Sequence, residues 1–173
     1  MMARLKAGSR MPDFRFQNRV AGEFVQEVLR LKANKGRIVL FGLPGAFTPT
    51  CSTQQLPKFE ELYDELIDAG VDDVFCTSVN DPFVMNSWFD SLDIKKVKSI
   101  PDGNGDLAQN LGMFVTKRNL NFGGRSWRYA LVIDTDKRII EKTFIEEGLS
   151  NEMESDPYEA STPENVLAWL KAN

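Results

Sequence analysis

The chain has 173 residues, of which 42% are hydrophobic, 27% charged and 10% aromatic, a mixture typical of a globular protein. This length and composition exclude a disordered or fibrous protein and predict one domain over residues 1–173. Its 21 basic and 25 acidic residues give a net charge of −4, so we expect no nucleic-acid partner. No apolar run approaches the ~18 residues that span a bilayer, so we expect no membrane insertion.

The sequence contains no histidine, which excludes Ser-His and Cys-His nucleophile pairs and every histidine-containing zinc or iron site. Its two cysteines, Cys51 and Cys76, are too few for a thiolate-only metal centre and do not form a CxxC pair. We therefore expect no metal and no cofactor. Residues 1–9 lack the apolar segment of a secretory signal, so we expect a reducing, cytoplasmic location.

The first half of the chain alternates strand and helix patterns. Ile38–Phe41 is a continuous apolar run, which is typical of a strand buried on both faces. Apolar residues then recur at helical spacing, which predicts a helix over Thr50–Ala69, capped by Gly70 and kinked at Pro57. Val74–Val79 is predicted as a second strand.

A second helix is predicted from Asp81-Pro82, an N-cap followed by a first-turn proline. Residues 93–127 are less regular, with one possible short helix ending at Leu111, and we treat them as an insertion. Tyr129–Asp134 and Arg138–Ile145 are predicted strands joined by a hairpin connection.

The last part of the chain is predicted to be a loop followed by a helix. Residues 146–159 contain six acidic and no basic side chains, which predicts a solvated surface loop, and Thr162-Pro163 opens the final helix. The order of elements from residue 38 is typical of an α/β, thioredoxin-like fold, with a central mixed sheet flanked by helices. Residues 1–37 form an N-terminal extension that adds a strand or hairpin, and the insertion precedes the third core strand.

The loop after the first strand carries the residue best suited to chemistry. If Thr48 caps the helix and Pro49 is its first residue, Cys51 lies in the first turn. There it faces unpaired N–H groups and the positive end of the helix dipole, which favour a reactive thiolate. A buried, inert thiol is the ordinary alternative, and it is the interpretation we adopt for Cys76, which lies within a predicted strand.

The segment Pro44–Ser52 resembles the active-site motif of the peroxiredoxin family, in which Pro, three residues, Thr and two residues precede the peroxidatic Cys. Three further segments resemble the type 5, or plant type II, subgroup: Val79–Asn86, Pro101–Gly105 and Arg125–Tyr129. The resemblance implies a thioredoxin-like fold, reduction of hydrogen peroxide and alkyl hydroperoxides, Arg128 as the active-site arginine, and a homodimer.

The physical chemistry agrees with these roles. Arg128 precedes a strand whose start adjoins the helix amino end, so its guanidinium can reach the Cys51 sulfur. Negative charge develops on the leaving oxygen during attack on a peroxide, and preorganised donors stabilise it. The candidate donors are Arg128, the Thr48 hydroxyl and the N–H groups of Thr50 and Cys51. Pro44 either shields the sulfur from water or is a simple turn proline.

Two further interpretations stay open at this point. Arg125 either assists Arg128 or is solvated. Four aromatic residues are core side chains unless they are exposed near Cys51, in which case they mark a dimer face: Phe47, Phe83, Trp88 and Phe122.

No cysteine follows Cys76, so an intramolecular cycle through the carboxyl-terminal region is excluded. We expect a peroxidase that forms a sulfenic acid on Cys51 and is re-reduced by an external thiol, namely glutathione, glutaredoxin or thioredoxin. The alternative is a non-enzymatic redox sensor or chaperone that uses the same Cys51. A disulfide reductase is disfavoured because no second cysteine adjoins Cys51.

Overall fold

The computed structural model describes residues 4–29 and 35–173. Its strands, in chain order, are β1 Arg15–Val20, β2 Glu23–Val28, β3 Arg37–Gly42, β4 Asp73–Ser78, β5 Lys98–Pro101, β6 Phe114–Lys117, β7 Gly123–Ser126, β8 Tyr129–Asp134 and β9 Ile139–Ile145. Its α-helices are α1 Leu56–Glu61, α2 Tyr63–Asp68, α3 Pro82–Ser91, α4 Asp106–Asn110 and α5 Pro163–Ala172. A π-helical turn at Cys51–Gln55 precedes α1, and a 3₁₀ turn at Arg118–Leu120 lies between β6 and β7.

Five strands form the central sheet in the order β5-β4-β3-β8-β9. β3 pairs in parallel with β4 and antiparallel with β8. β5 extends the parallel side of the sheet, and β9 extends the antiparallel side. The sheet is mixed and flanked by helices, which confirms the predicted α/β, thioredoxin-like fold. That residues 1–173 form one domain stays a prediction.

β3 is the centre of the core because its side chains alternate between two buried faces of the sheet. Val39 and Phe41 pack with side chains of α1, α2, α3 and α5 on one face. Ile38 and Leu40 pack on the other face with side chains of α4 and residues 11–29. The strand is therefore a firmly packed base for the loop that leaves its carboxyl end.

The helical segment after that loop has three parts, whereas the sequence predicts one kinked helix over Thr50–Ala69. The π-helical turn is closed by a bond from the Leu56 N–H to the Cys51 carbonyl. Leu62, whose backbone leaves helical geometry, separates α1 from α2. Pro57 has no N–H, and its ring crowds the carbonyl four residues earlier, so the helix widens in the turn before it.

Three helix boundaries agree with their predicted signals. The Asp81 carboxylate accepts the Val84 N–H at 2.9 Å and caps α3. The Thr162 hydroxyl likewise accepts the Asn165 N–H at 3.2 Å and caps α5. Gly70 follows α2 in a left-handed conformation, with φ of 108°. None of the helices in the described ranges is long and apolar enough to cross a bilayer.

The predicted insertion over residues 93–127 contains an edge strand of the central sheet, β5. This strand is short and half polar, so it lacks the alternation by which strands are found in a sequence. The same segment holds the predicted short helix, as α4, and the hairpin β6–β7. The extension over residues 1–37 contributes the hairpin β1–β2. Residues 1–3 and 30–34 of that extension lie outside the described part of the chain.

Several predicted strand boundaries are wrong by one residue, as at both ends of β3, which spans Arg37–Gly42. β4 begins and ends one position earlier than the predicted Val74–Val79. The predicted strand Arg138–Ile145 loses its first residue because Arg138 has a positive φ of 57°, which ends the hairpin connection rather than beginning β9.

Asp102 joins β5 to α4 with a buried carboxylate. Its two oxygens accept the N–H groups of Leu107 at 3.0 Å and Ala108 at 2.9 Å. Burial raises the pKa of Asp102 to about 6, although these hydrogen bonds oppose the shift. The native state therefore takes up a proton near pH 6 that the unfolded chain takes up only near the ordinary value of 3.8.

A pKa raised in the native state adds stability that is gained as the pH falls through about 6. We expect the free energy of unfolding of the wild type, relative to Asp102→Asn, to rise by about 1 kcal/mol from pH 7 to pH 5. Urea unfolding at both pH values measures this difference. Asp106→Asn, an exposed position in the same helix, controls for the loss of one carboxylate. A difference that is constant or falls on acidification contradicts this account of Asp102.

Candidate active site

The loop between β3 and the π-helical turn is held in one backbone path. The Ala46 N–H donates to the side-chain oxygen of Asn80 at 3.0 Å, which ties the loop to the segment after β4. A Cβ at Gly45 would lie 2.6 Å from Nη1 of Arg125, so a side chain there would displace the end of this arginine. These contacts fix the path of the loop, which places Cys51 at the carboxyl edge of β3.

Thr48 lies where the sequence predicts, directly before the helical backbone that begins at Pro49. Its hydroxyl donates to the Gly45 carbonyl at 2.6 Å rather than accepting an N–H of the first helical turn. Thr50 has helical backbone angles, and Cys51 follows it with its side chain completely buried. In this first turn the backbone N–H groups lack helical carbonyl partners, and the positive helix end favours negative charge.

Arg128 reaches Cys51 from the neighbouring strand. It directly precedes β8, which pairs with β3 so that Tyr129 lies opposite Gly42. Arg128 is 1% exposed, and its Nη1 is 3.4 Å from the Cys51 Sγ. A charge-assisted hydrogen bond of this kind stabilises a thiolate relative to a thiol. The structure thus brings together the two residues to which the sequence assigns the chemistry.

Four other groups surround the Arg128 guanidinium. Oε1 of Gln55 accepts a hydrogen bond from Nη1, and the Asp156 carboxylate pairs with Nη2. The Pro157 carbonyl accepts from Nε at 3.1 Å, and the Tyr158 ring centre lies 5.6 Å from Cζ. Because the planar fork is engaged on several sides, its orientation toward the sulfur is set before any substrate arrives.

Charged side chains surround the Cys51 thiol. Burial lowers the pKa of Arg128, but the negative charges of Cys51 and Asp156 outweigh burial and raise that pKa overall. Lys117 is a second buried cation, 4% exposed, whose Nζ donates to the Met153 carbonyl at 3.1 Å. Burial lowers the pKa of Lys117, while Asp156 and Cys51 oppose this shift. Two buried cations, Arg128 and Lys117, and the Asp156 carboxylate therefore lie close enough to Cys51 to interact with its charge.

Residues 146–161, which we call the strap, cover Arg128. The predicted solvated loop over residues 146–159 holds for five of its six acidic residues, which are exposed, and is wrong for Glu146. Glu146 is buried, and its carboxylate accepts the backbone N–H groups of Glu159, Ala160 and Ser161. Burial raises the pKa of Glu146, but these bonds and the Ser161 hydroxyl outweigh burial and lower that pKa. A buried carboxylate thus closes the strap over the guanidinium.

Arg125 holds the loop proline and does not point into solvent. Its Nη1 donates to the Pro44 carbonyl at 3.4 Å, and its Nε donates to the Phe122 carbonyl at 3.2 Å. The solvated interpretation of Arg125 is therefore wrong. Burial lowers the pKa of Arg125, and the charge of Cys51 opposes this shift. Pro44 itself is buried, and it lines a small cavity together with Lys117, Trp127, Arg128, Asp156 and Pro157.

Cys76 is a core thiol, as predicted. It lies in β4, completely buried among apolar side chains, and both Cys76 and Cys51 are free thiols. Burial and the negative charge of Cys51 raise the pKa of the Cys76 thiol well above its ordinary value, against the effect of Arg128. Cys76 is therefore a thiol, and a weak nucleophile, at neutral pH.

The four aromatic residues singled out in the sequence divide between core and surface. Trp88 is buried, and its Nε1 donates to the Ser52 hydroxyl at 2.8 Å, beside the reactive thiol. Phe47 and Phe83 are 55% and 57% exposed, so the core interpretation is wrong for both. Phe122 is half-buried. Phe47, in the loop that carries the thiol, has a left-handed φ of 65° that turns its backbone outward.

Three residues of this site were not predicted: Gln55, Lys117 and Asp156. Gln55 follows Cys51 by four residues. This spacing places two side chains on the same face of a helix, so the sequence could have predicted Gln55 beside the thiol. Lys117 and Asp156 come from distant segments and belong to no recognisable motif. Across residues 4–29 and 35–173, no cluster of three His, Cys, Asp or Glu side chains is arranged to hold a metal ion.

A single thiol held by a buried arginine at the edge of a thioredoxin-like sheet defines the class of thiol-based redox enzymes. The family model described as Redoxin matches residues 6–160 of this chain. Peroxiredoxin y4vD of Sinorhizobium fredii is 57% identical over 135 residues, which cover 78% of this chain and 71% of that protein.

Solved structures agree with this assignment. An antioxidant protein of Plasmodium falciparum, described as a 1-Cys peroxiredoxin, superimposes with a TM-score of 0.90 at 37% identity, over 98% of this chain and 100% of its own. Reduced Prx3 of Vibrio vulnificus in complex with hydrogen peroxide has a TM-score of 0.83 at 31% identity, over 98% and 99% of the two chains. The chain belongs to the peroxiredoxin family, and it is a thiol-dependent peroxidase.

Replacing Arg128 tests the contact with the sulfur. We expect Arg128→Ala to slow the reaction of Cys51 with hydrogen peroxide by roughly 100-fold or more, since one preorganised donor to a developing oxyanion contributes ~3 kcal/mol. Arg128→Lys should recover only part of the rate, because an ammonium lacks the planar fork. Stopped-flow kinetics on folded protein measure both rates. Arg15→Ala, at an exposed arginine of β1, is the control, and an Arg128→Ala rate within a few-fold of wild type contradicts the assignment.

Proposed function

We propose that this protein reduces hydrogen peroxide and alkyl hydroperoxides through the Cys51 thiolate. The sulfur attacks one peroxide oxygen, the S–O bond forms as the O–O bond breaks, and the other oxygen leaves with the electron pair and takes up a proton. Cys51 becomes a sulfenic acid. The observation that carries this proposal is the 3.4 Å contact between Arg128 Nη1 and the Cys51 Sγ. The hydrogen peroxide complex of the Vibrio relative supports the choice of substrate.

The neighbouring groups take distinct roles in this proposal. Arg128 stabilises the thiolate and the developing negative charge, together with the N–H groups of Thr50 and Cys51. The hydrogen of the Thr48 hydroxyl is engaged by a carbonyl, so its oxygen is free to accept the O–H of a hydroperoxide. Pro44, which is buried and has no N–H, shields the sulfur from water and over-oxidation.

An external thiol completes the cycle in this proposal. Cys76 is enclosed in the core and held as a thiol, so it does not compete for oxidised Cys51. Conversion of the thiolate to a neutral sulfenic acid removes one negative charge from a site that holds Lys117, Arg125 and Arg128, which favours an anionic thiol such as glutathione. Glutaredoxin and thioredoxin are the other candidate reductants. The Plasmodium relative, described as a 1-Cys peroxiredoxin, supports a one-cysteine cycle.

We propose further that the protein acts as a homodimer in the cytoplasm. The exposed ring of Phe47 stands on the loop that carries Cys51, and a second copy of the chain would cover it. Two free thiols and no disulfide among the two cysteines fit a reducing compartment. A redox sensor using the same Cys51 stays the alternative, and sustained peroxide consumption with a thiol reductant separates the two, because a sensor turns over once.

The decisive experiment treats the reduced protein with one equivalent of hydrogen peroxide and no thiol. We expect intact-mass analysis to show one added oxygen on Cys51 and a free thiol at Cys76. Cys76→Ser should keep most of the activity, whereas Cys51→Ser should lose it. Added glutathione should give a mixed disulfide at Cys51 and restore turnover. A loss of two hydrogens with linked Cys51 and Cys76 peptides, or equal loss of activity in both folded variants, contradicts the one-cysteine mechanism.

A further inference from the structure

Gln55 is completely buried beside the reactive thiol, and half of its carboxamide has no partner. Its Oε1 accepts a hydrogen bond from Nη1 of Arg128, the same nitrogen that donates to the Cys51 sulfur. Its Nε2 has no hydrogen-bond partner within the described chain, although the atom is inaccessible to solvent. Gln55 thus presents two N–H donors that nothing satisfies in the reduced protein.

The orientation of this carboxamide follows from hydrogen-bond chemistry. A guanidinium nitrogen only donates, so the Gln55 atom that faces Arg128 must be the oxygen. The Nε2 group therefore lies on the side of the carboxamide away from Nη1, the nitrogen that also contacts the Cys51 sulfur. Buried donors are nearly always paired in native proteins, and unpaired ones concentrate at sites where the missing partner is supplied by function.

The backbone places Gln55 on the reacting side of the helical segment. Cys51 begins the π-helical turn and Gln55 ends it, and both side chains are completely buried. Wide turns of this kind occur frequently at functional sites. The adjacent Gln54 is exposed on the opposite side of the same turn. The chain therefore buries one of two consecutive glutamines against the sulfur and the arginine.

We propose that Gln55 is a further catalytic residue, whose Nε2 donates a hydrogen bond to the oxygen that Cys51 takes from the hydroperoxide. This inference rests on the proposed peroxidase reaction at Cys51. The reaction brings an oxygen acceptor into the pocket: the S–O bond forms, the O–O bond breaks, and the transferred oxygen stays on the sulfur while the leaving oxygen takes up a proton. The unpaired donor is satisfied only as that oxygen arrives, so its stabilisation favours the transition state and the sulfenic acid over the reduced enzyme.

Two substitutions separate this role from the orientation of Arg128. Gln55→Met removes both the acceptor and the donor with little change of volume. Gln55→Glu keeps an acceptor for Arg128 and removes the donor. We expect both variants to react with hydrogen peroxide roughly 100-fold more slowly than wild type. Gln54→Met, in the same turn, should react at the wild-type rate. If Gln55→Glu reacts with wild-type kinetics, Gln55 only orients Arg128, and the proposal is overturned.

Alkylation of Cys51 by iodoacetamide distinguishes a catalytic role of Gln55 from a purely structural one. This reaction needs the thiolate and access to it, but it transfers no oxygen. Because Gln55→Met also removes an acceptor of Arg128, we expect a small loss of alkylation rate and a much larger loss of rate with peroxide. Equal loss of both rates indicates a structural role and contradicts the inference.

The wild-type protein provides a test that needs no substitution. The side-chain ¹H–¹⁵N signals of Gln55 should move downfield when one equivalent of peroxide converts Cys51 to the sulfenic acid, because a hydrogen bond then forms at Nε2. Unchanged Gln55 signals in a protein whose mass shows the added oxygen overturn the inference alone. If no oxygen is added to Cys51, the proposed peroxidase reaction fails instead.

Discussion

The contact between the buried Arg128 guanidinium and the Cys51 sulfur is the interaction on which the rest of the site depends. A buried cation without partners is strongly destabilising, so its surroundings must supply acceptors. The strap supplies the Asp156 carboxylate and the Pro157 carbonyl, and the helical segment supplies Gln55. The Cys51 sulfur contacts Nη1, the nitrogen that also donates to Gln55. The thiolate is therefore one member of a set of groups that satisfy Arg128, and the arginine orients toward it without substrate.

The fold fixes the positions of Cys51 and Arg128 relative to each other. Antiparallel pairing of β3 with β8 places the end of one strand beside the start of the other, so the loop after β3 and the residue before β8 meet at one edge of the sheet. The two layers of apolar side chains on β3 hold that edge in place. Glu146 then closes the strap through backbone N–H groups. Strand register, core packing and one buried carboxylate thus each position the same guanidinium.

How much of this site could be predicted depends on how far apart its residues lie in the sequence. Cys51, Thr48 and Pro44 lie within one short motif, and the family resemblance carried by this motif and by Arg125–Tyr129 indicated Arg128, in agreement with the predicted strand order. The strap was predicted only in part. Six acidic residues without a base indicate a solvated loop, and only the fold shows that two of these carboxylates, at Glu146 and Asp156, are partners of buried groups. The edge strand β5 was missed because a short, half-polar strand carries no periodicity.

The most direct test of the central interaction is the ultraviolet absorbance of the thiolate near 240 nm in the reduced protein at neutral pH. Stabilisation of a thiolate by Arg128 predicts about one thiolate per chain in the wild type and in Cys76→Ser, none in Cys51→Ser, and a clear loss in a folded Arg128→Ala variant. A wild type without thiolate absorbance, or an Arg128→Ala variant with the full signal, would contradict the account.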